Sequence, residues 1–433
     1  MRANHHAHRA GGIVTLAAFG AVALFAVLML RQPWALAALT EPRTSQLMKL
    51  GLKFGGEAGC TAAKCHGAAT AAKPPDHPGN ECAVWSAKDK HSKAYNSLTN
   101  DEGKKIAAAM GIADASKDTR CTTCHTIDLD KFPTLKGDKY SKEEGVSCTA
   151  CHGPDERWEK PHQDKGWTDK TRQQFANDPQ KMLAGWGLYD TKSPVMCAEM
   201  CSSCHLAIDA ELVSKGKHPQ PKFELEYYSA IQPKHWREAD GFEKVRRWAV
   251  GQAVCVRDAM RQLGERAKGG DAALTKDGYQ QAMAHLSLLR AAMTGLGTAA
   301  PNLDAHATAL AAAMGANDNA KLASEADATA SDAEAAFNAA NALAPAAGST
   351  AKLAQSIASD ATMAQQFGAF GMEQQAYALY ALYSGYSVGA GKAPDRAVVG
   401  KIIALMPQPK KPPMAADQFA AGLAAVKAAL PAE

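Results

Sequence analysis

The sequence predicts a mainly α-helical protein in two unlike parts: a region with little regular structure, then an alanine-rich helical bundle. Three observations predict this. Ten of the eleven cysteines among the 433 residues precede Gly241. The stretch 41–240 that holds them is polar, broken by Pro and Gly, and short of long apolar-periodic segments. From Gly241 alanine dominates, and large apolar residues recur at helical spacing. The length allows a large core and about two or three domains. The formal net charge is +4 and no Lys/Arg run or basic helix occurs, which excludes a nucleic-acid-binding reading.

Residues 1–40 read as a membrane anchor or signal segment. Arg2 and Arg9 precede an unbroken apolar run, Gly11 to Leu30, closed by Arg31. That run matches the about 20 residues that a bilayer-crossing helix needs. A secretory apolar region is usually about 7–15 residues, so the length favours an uncleaved anchor. Ala35-Leu36-Ala37 offers the alternative, a small-residue cleavage site. Either way the following residues are expected outside the cytoplasm, on the periplasmic side, because positive charge holds the N-terminal end inside.

The region 41–240 carries its chemistry in Cys-His runs. Cys121-Thr-Thr-Cys124-His125, Cys148-Thr-Ala-Cys151-His152 and Cys201-Ser-Ser-Cys204-His205 share one pattern. It reads as a c-type haem attachment site. Two thiols add across the porphyrin vinyls, and the adjacent imidazole reaches the iron. A zinc knuckle or a redox Cys-x-x-Cys would not require a histidine directly after each second cysteine. Cys60-Thr-Ala-Ala-Lys-Cys65-His66 has four residues between its cysteines and, beside three regular motifs, reads as a further site. The expectation is four covalently bound haem c groups, with His66, His125, His152 and His205 as proximal ligands. Haem propionates, with carboxyl pKa values of about 4, would cancel or reverse the small positive charge. Porphyrin faces would replace a large aliphatic core here, and each haem histidine is expected at the end of a short helix or turn. Thr99 to Met110 is one expected helix.

Cys82, Cys197 and Cys255 remain. One disulfide and one free thiol is arithmetically possible, and the sequence does not choose the partners. Cys197 could compete with Cys201 for attachment, but the regular spacing favours Cys201.

The sixth iron position separates a carrier from a catalyst. A bis-histidine haem is coordinatively full and suits electron transfer, whereas an open position binds small molecules. The histidines outside the motifs and before Gly241 are His77, His91, His162, His218 and His235. His285 and His306 fall in the haem-free part and read as structural.

The part 241–433 reads as an all-α bundle. Phe242, Val245, Trp248, Val256, Ala259, Met260 and Leu263 mark a first helix. Leu274 to Met293 marks a second, closed by Gly295 and Gly297, and Thr329 to Leu343 a third. Ala351 to Tyr383 covers one or two more, and Val398–Leu405 and Phe419–Leu430 flank the Pro407–Pro413 linker. The stretch Ala316–Ala340 has few large side chains, which predicts loose packing. The bundle reads as a brace for the haem region, with a docking module as the alternative.

Several separated segments carry a family resemblance. Glu81-Cys82-Ala83-Val84-Trp85-Ser86-Ala87-Lys88-Asp89-Lys90-His91 is one, and Gly145-Val146-Ser147-Cys148 through His152-Gly153-Pro154, with Trp158 and His162, is another. Gly216-Lys217-His218-Pro219, Phe223-Glu224, Pro233-Lys234-His235-Trp236 and Trp248-Ala249-Val250-Gly251-Gln252-Ala253 follow in order. Together, over roughly 55–260, they resemble the multihaem cytochrome c-552/c-554 family. The resemblance implies a periplasmic tetrahaem electron carrier with haems packed in close pairs. It implies His91 and His162 as distal ligands to haems other than their neighbours, and suggests His218; His235 is the choice for a fourth. It also implies that one haem can be five-coordinate. The longer first motif, and Lys217 and Gln220 around His218, depart from the pattern.

The expected function is electron transfer in a respiratory chain, between redox partner proteins, with a membrane contact through the N-terminal segment. The alternative is a haem enzyme with one open iron acting on a small nitrogen or sulfur oxyspecies. Lys215, Lys217, Tyr227 and Tyr228 are its candidate acid–base groups, but they form no compact constellation.

Overall fold

Short helices, each capped and stopped within a few turns, make up the first part of the chain. The computed structural model describes residues 43–71, 78–206, 208–237, 241–298, 300–407 and 414–431. Here α1 is Arg43–Met48, α2 Glu81–Lys88, α3 Asp101–Ala109, α4 Thr119–His125 and α5 Cys148–His152. Then come α6 Trp167–Gln174, α7 Pro179–Trp186, α8 Pro194–His205, α9 Ala210–Ser214 and α10 Leu225–Ile231. Side-chain caps start many of them: Asn100 accepts from Gly103 N, Asp118 from Arg120 N, Asp178 from Lys181 N and Ser193 from Met196 N. Glycines stop others. Gly153 after α5 and Gly187 after α7 have φ of 82° and 80°, and a Cβ on Gly153 would meet the Gly187 carbonyl oxygen at 2.1 Å. Only glycine serves there, for both conformation and space.

Two small apolar clusters hold this region. One gathers Leu47, Phe54, Ile127, Leu129, Leu183 and Tyr189 around α5 and α8. The other joins Leu98, Met110 and Ile112 to Ile208 and Leu212. Among the described residues there is no strand, only an isolated bridge between Phe54 and Lys136. The molecule is mainly helical, as the sequence predicts.

From residue 243 the helices lengthen. They are α11 Glu243–Gly269, α12 Ala272–Gly295, α13 Pro301–Gly315, α14 Asn319–Asn341, α15 Ala347–Ser359, α16 Thr362–Gly389, α17 Arg396–Ala404 and α18 Ala416–Lys427. The axis is α11, which is buried on nearly every side, as expected of a helix surrounded by others. It packs against α12, α14 and α16, and its outer faces receive α8 and α10 from the first part. A Cβ on Gly251 would sit 2.8 Å from Leu225 Cβ, so a glycine lets α10 lie against α11. In α16 the helix breaks at Gly368, whose φ of 54° only glycine adopts readily. The described residues all fall within one compact unit, Thr40–Glu433.

The expectation of loose packing over Ala316–Ala340 is overturned. That stretch forms α14, and Leu322, Ala323, Ala326, Ala330, Ala333 and Phe337 are buried along α11. Alanine's small side chain permits close approach, so few large residues here mean a tight seam. Pro301–Gly315 is a further helix, opened by proline at its first position, which the apolar spacing does not announce. No helix among the described residues is long and apolar enough to cross a membrane. The apolar run Gly11–Leu30 lies outside them, as does His77.

Candidate haem centre

Each regular Cys-His motif forms the last turn of a helix: His125 ends α4, His152 ends α5 and His205 ends α8. Residues 63–66 of the first motif are turn, and the motif has no helix. In this arrangement three of the four motif histidines meet a histidine ring from a distant stretch. The rings of His66 and His162 are parallel within 8° with centroids 6.1 Å apart. His205 and His91 stand perpendicular at 6.0 Å, and His125 and His218 cross at 73° and 6.2 Å. His152 is fully buried, which pushes it down to about 4, and His235 is the imidazole acting on it most.

These separations fit an iron between the rings. An imidazole nitrogen stands about 2.0–2.1 Å from a bound metal and about 1.1 Å from its ring centre, so one metal sets two ring centres about 6.2 Å apart. In six of the eight rings the second nitrogen is committed elsewhere. His125 Nδ1 lies 3.1 Å from the Ala94 carbonyl, His162 Nδ1 3.1 Å from that of Trp158, and His218 Nδ1 2.7 Å from that of Pro219. His235 Nδ1 lies 3.3 Å from the Pro233 carbonyl. Carboxylates serve two more: Asp89 at 2.9 Å from His91 Nδ1 and Glu81 at 3.1 Å from His66 Nδ1. A donated Nδ1–H fixes the tautomer and leaves Nε2 as the metal-facing atom.

The two carboxylates are strongly acidic. Burial pushes Asp89 up, but bonds from His91 and Gln232 outweigh it and hold the carboxyl at about 2. Burial likewise opposes ionisation of Glu81, and its bond to His66 prevails, again at about 2. The same bond raises His66. Desolvation lowers His125, and lowers His205 to about 4 with help from His91.

The thiols report how the sites are grouped. Cys148 contacts Cys60 and Cys82, which, with burial, raises it far above the ordinary thiol range. Cys124 contacts Cys204, and Cys197 contacts Cys201. The first and third motifs thus meet through their cysteines, as do the second and fourth. All eleven cysteines are free. Of the three outside the motifs, Cys82 sits by Cys148, Cys197 by Cys201, and Cys255 is buried in α11, so none of them pairs with another.

The acid–base candidates do not converge on an iron position. Lys215 pairs with Glu211 and Lys217 donates to the Ser214 carbonyl, both at the surface. Tyr228 packs edge-on against His205 and Phe223, and burial pushes it up to about 12. Tyr227 stacks on Tyr377 at 4.3 Å. Tyr228 thus backs the His205 ring, and Tyr227 belongs to a tyrosine cluster behind it. His285 is buried against Gln252, and His306 lies between Glu325 and Asp332 on α13 and α14, both as structural residues.

Glu81 and Asp89 are the site residues that sequence reasoning misses. Asp89 stands two residues before His91, a spacing that could have flagged it; Glu81 has no local signal, because it reaches His66 only through the fold. No curated protein and no solved structure matches the chain. Residues 60–153, which span the first three motifs and His91, match the family model of cytochrome c554 and c-prime, and this likeness supports a c-type cytochrome with covalently bound haem c.

Proposed function

We propose that the protein is an exported tetrahaem c-type cytochrome that carries electrons between redox partner proteins of a respiratory chain, held on the periplasmic side of a membrane by residues 1–40. The observation that carries this reading is the pairing of motif with non-motif histidines at ligand spacing. The attaching pairs are Cys60/Cys65, Cys121/Cys124, Cys148/Cys151 and Cys201/Cys204. The histidine pairs that would hold the irons are His66/His162, His125/His218, His152/His235 and His205/His91. When bound, haem iron supplies a one-electron couple, with no bond made or broken in a substrate.

The chain's residues do the rest. With each pair holding one iron, the eight imidazoles would fill the iron positions and leave no place for a substrate. Backbone carbonyls and two carboxylates lock the rings, which limits reorganisation when charge changes. The paired motifs keep neighbouring sites close, as the contacts of Cys60 with Cys148 and Cys124 with Cys204 suggest. A haem enzyme acting on a small oxyspecies would need an iron that none of these imidazoles covers.

Intact mass of the purified holoprotein tests the haem number, with four expected. Low-temperature EPR tests the coordination, with low-spin signals alone expected. A dominant high-spin signal that changes with nitric oxide would overturn the carrier reading.

A further inference from the structure

The fourth attachment helix, α8, lies along the bundle's central helix, α11, and buried charge joins them. Ser202, between the cysteines of Cys201-Ser-Ser-Cys204, donates its hydroxyl to Asp258 Oδ2 at 2.6 Å. Asp258 Oδ1 accepts from Arg257 Nε at 2.7 Å, and Arg257 Nη1 reaches Glu199 Oε1 at 2.6 Å, two residues before Cys201. Glu199 Oε2 is held in turn by Arg43 Nη2 at 3.0 Å. The Arg257 guanidinium lies over the Phe337 ring at 5.0 Å, and Gln262 donates to the carbonyls of Leu206 and Ile208, just beyond His205.

Two comparisons make this network informative. Thr122 and Thr149 occupy the position of Ser202 in the other regular motifs, and both hydroxyls are buried without a partner. Of these three motifs, only the fourth meets a carboxylate there. Burying such ion pairs is also a poor way to gain stability, since well-packed apolar residues commonly serve as well or better. Charge held in a low-dielectric interior acts strongly on a nearby redox centre, and protein charge and hydrogen bonding are recognised levers on haem potential.

We propose that Arg257 and Asp258 are positioning residues that set the reduction potential of the haem held by Cys201, Cys204 and His205. This rests on the haem reading above. The network is balanced, with Arg43 and Arg257 against Glu199 and Asp258. Removing one charge therefore leaves a net charge of the opposite sign beside the fourth site. Negative charge favours the oxidised iron and lowers the potential; positive charge raises it.

The experiment is a spectroelectrochemical titration of full-length holoprotein, with haem loading first checked by intact mass. D258N is expected to move one couple upward and R257Q to move the same couple downward, while R257K stays near the parent. S202A, which removes only a hydroxyl and keeps α8 and α11 intact, is expected to lower that couple, because Asp258 loses a donor that disperses its charge. It decides the matter if the charge variants do not fold. Shifts of one sign in both charge variants, or an unmoved couple in S202A with all haems loaded, would overturn the proposal and leave the network structural. A parent protein whose mass shows no haem on Cys201/Cys204 would instead sink the haem reading, a distinguishable failure.

Discussion

The alanine seam between α11 and α14 can be tested with a single added side chain. Ala326 is fully buried there, and the backbones are close: a Cβ on Gly264 of α11 would lie 3.5 Å from the Ala323 carbonyl oxygen. Ala326→Leu must place three more carbons in that seam. Helix propensity changes little, since leucine ranks next to alanine, so the effect is one of packing. Overpacking of a dense core typically costs about 1–3 kcal/mol. Ala328 is exposed on the same helix, and Ala328→Leu is expected to stay within about 0.5 kcal/mol of the parent. Urea unfolding followed by far-ultraviolet circular dichroism measures both. An Ala326→Leu protein as stable as Ala328→Leu would refute the tight seam and restore the looser packing that composition alone suggests.

Other outcomes follow from the site and the bundle. His162→Ala removes the imidazole facing His66, so one of the low-spin EPR signals should convert to high spin while the haem count by mass is unchanged. His306, tied to Glu325 and Asp332, has its pKa raised by these bonds against the desolvation that lowers it. Its stabilising contribution is therefore full below the ordinary histidine pKa of about 6.5 and is lost as pH rises through the higher folded value. His306→Gln should accordingly destabilise α13 and α14 at pH 5.5 and much less at pH 9, as read by amide hydrogen exchange. Cys255→Ala should leave the haem mass unchanged and remove one titratable thiol from the denatured protein, because Cys255 is buried in α11.

The Cys-His motifs were legible because their chemistry is local: two thiols and an imidazole share one short stretch of chain. The facing histidines were legible only as a set. His66 and His162, or His125 and His218, are brought together by the whole fold, and nothing in their own neighbourhoods encodes the partner. The same holds for Glu81, whose bond to His66 joins residues fifteen apart in the chain. In the bundle, Trp248, Met260 and Leu289 gave a helical period that names the buried face. Over α13 and α14 alanine stands on both the buried and the exposed faces, so contrast vanishes and the period with it. Buried Ala330 and exposed Ala328 are the same residue in opposite environments.

The pairing of histidines also has a direction along the chain. His66 and His125 each precede the imidazole they face, at 162 and 218, and His152 precedes His235, the imidazole that acts on it most. His205 alone follows its own, at 91. A chain delivered N-terminus first would thus hold three attachment sites waiting for segments still to arrive. The fourth would find its opposing ring already outside, so it would be completed ahead of the second and third, whose rings at 218 and 235 come later. Completion would then leave the order of the motifs, with α8 closing its own site after the first and ahead of the second and third.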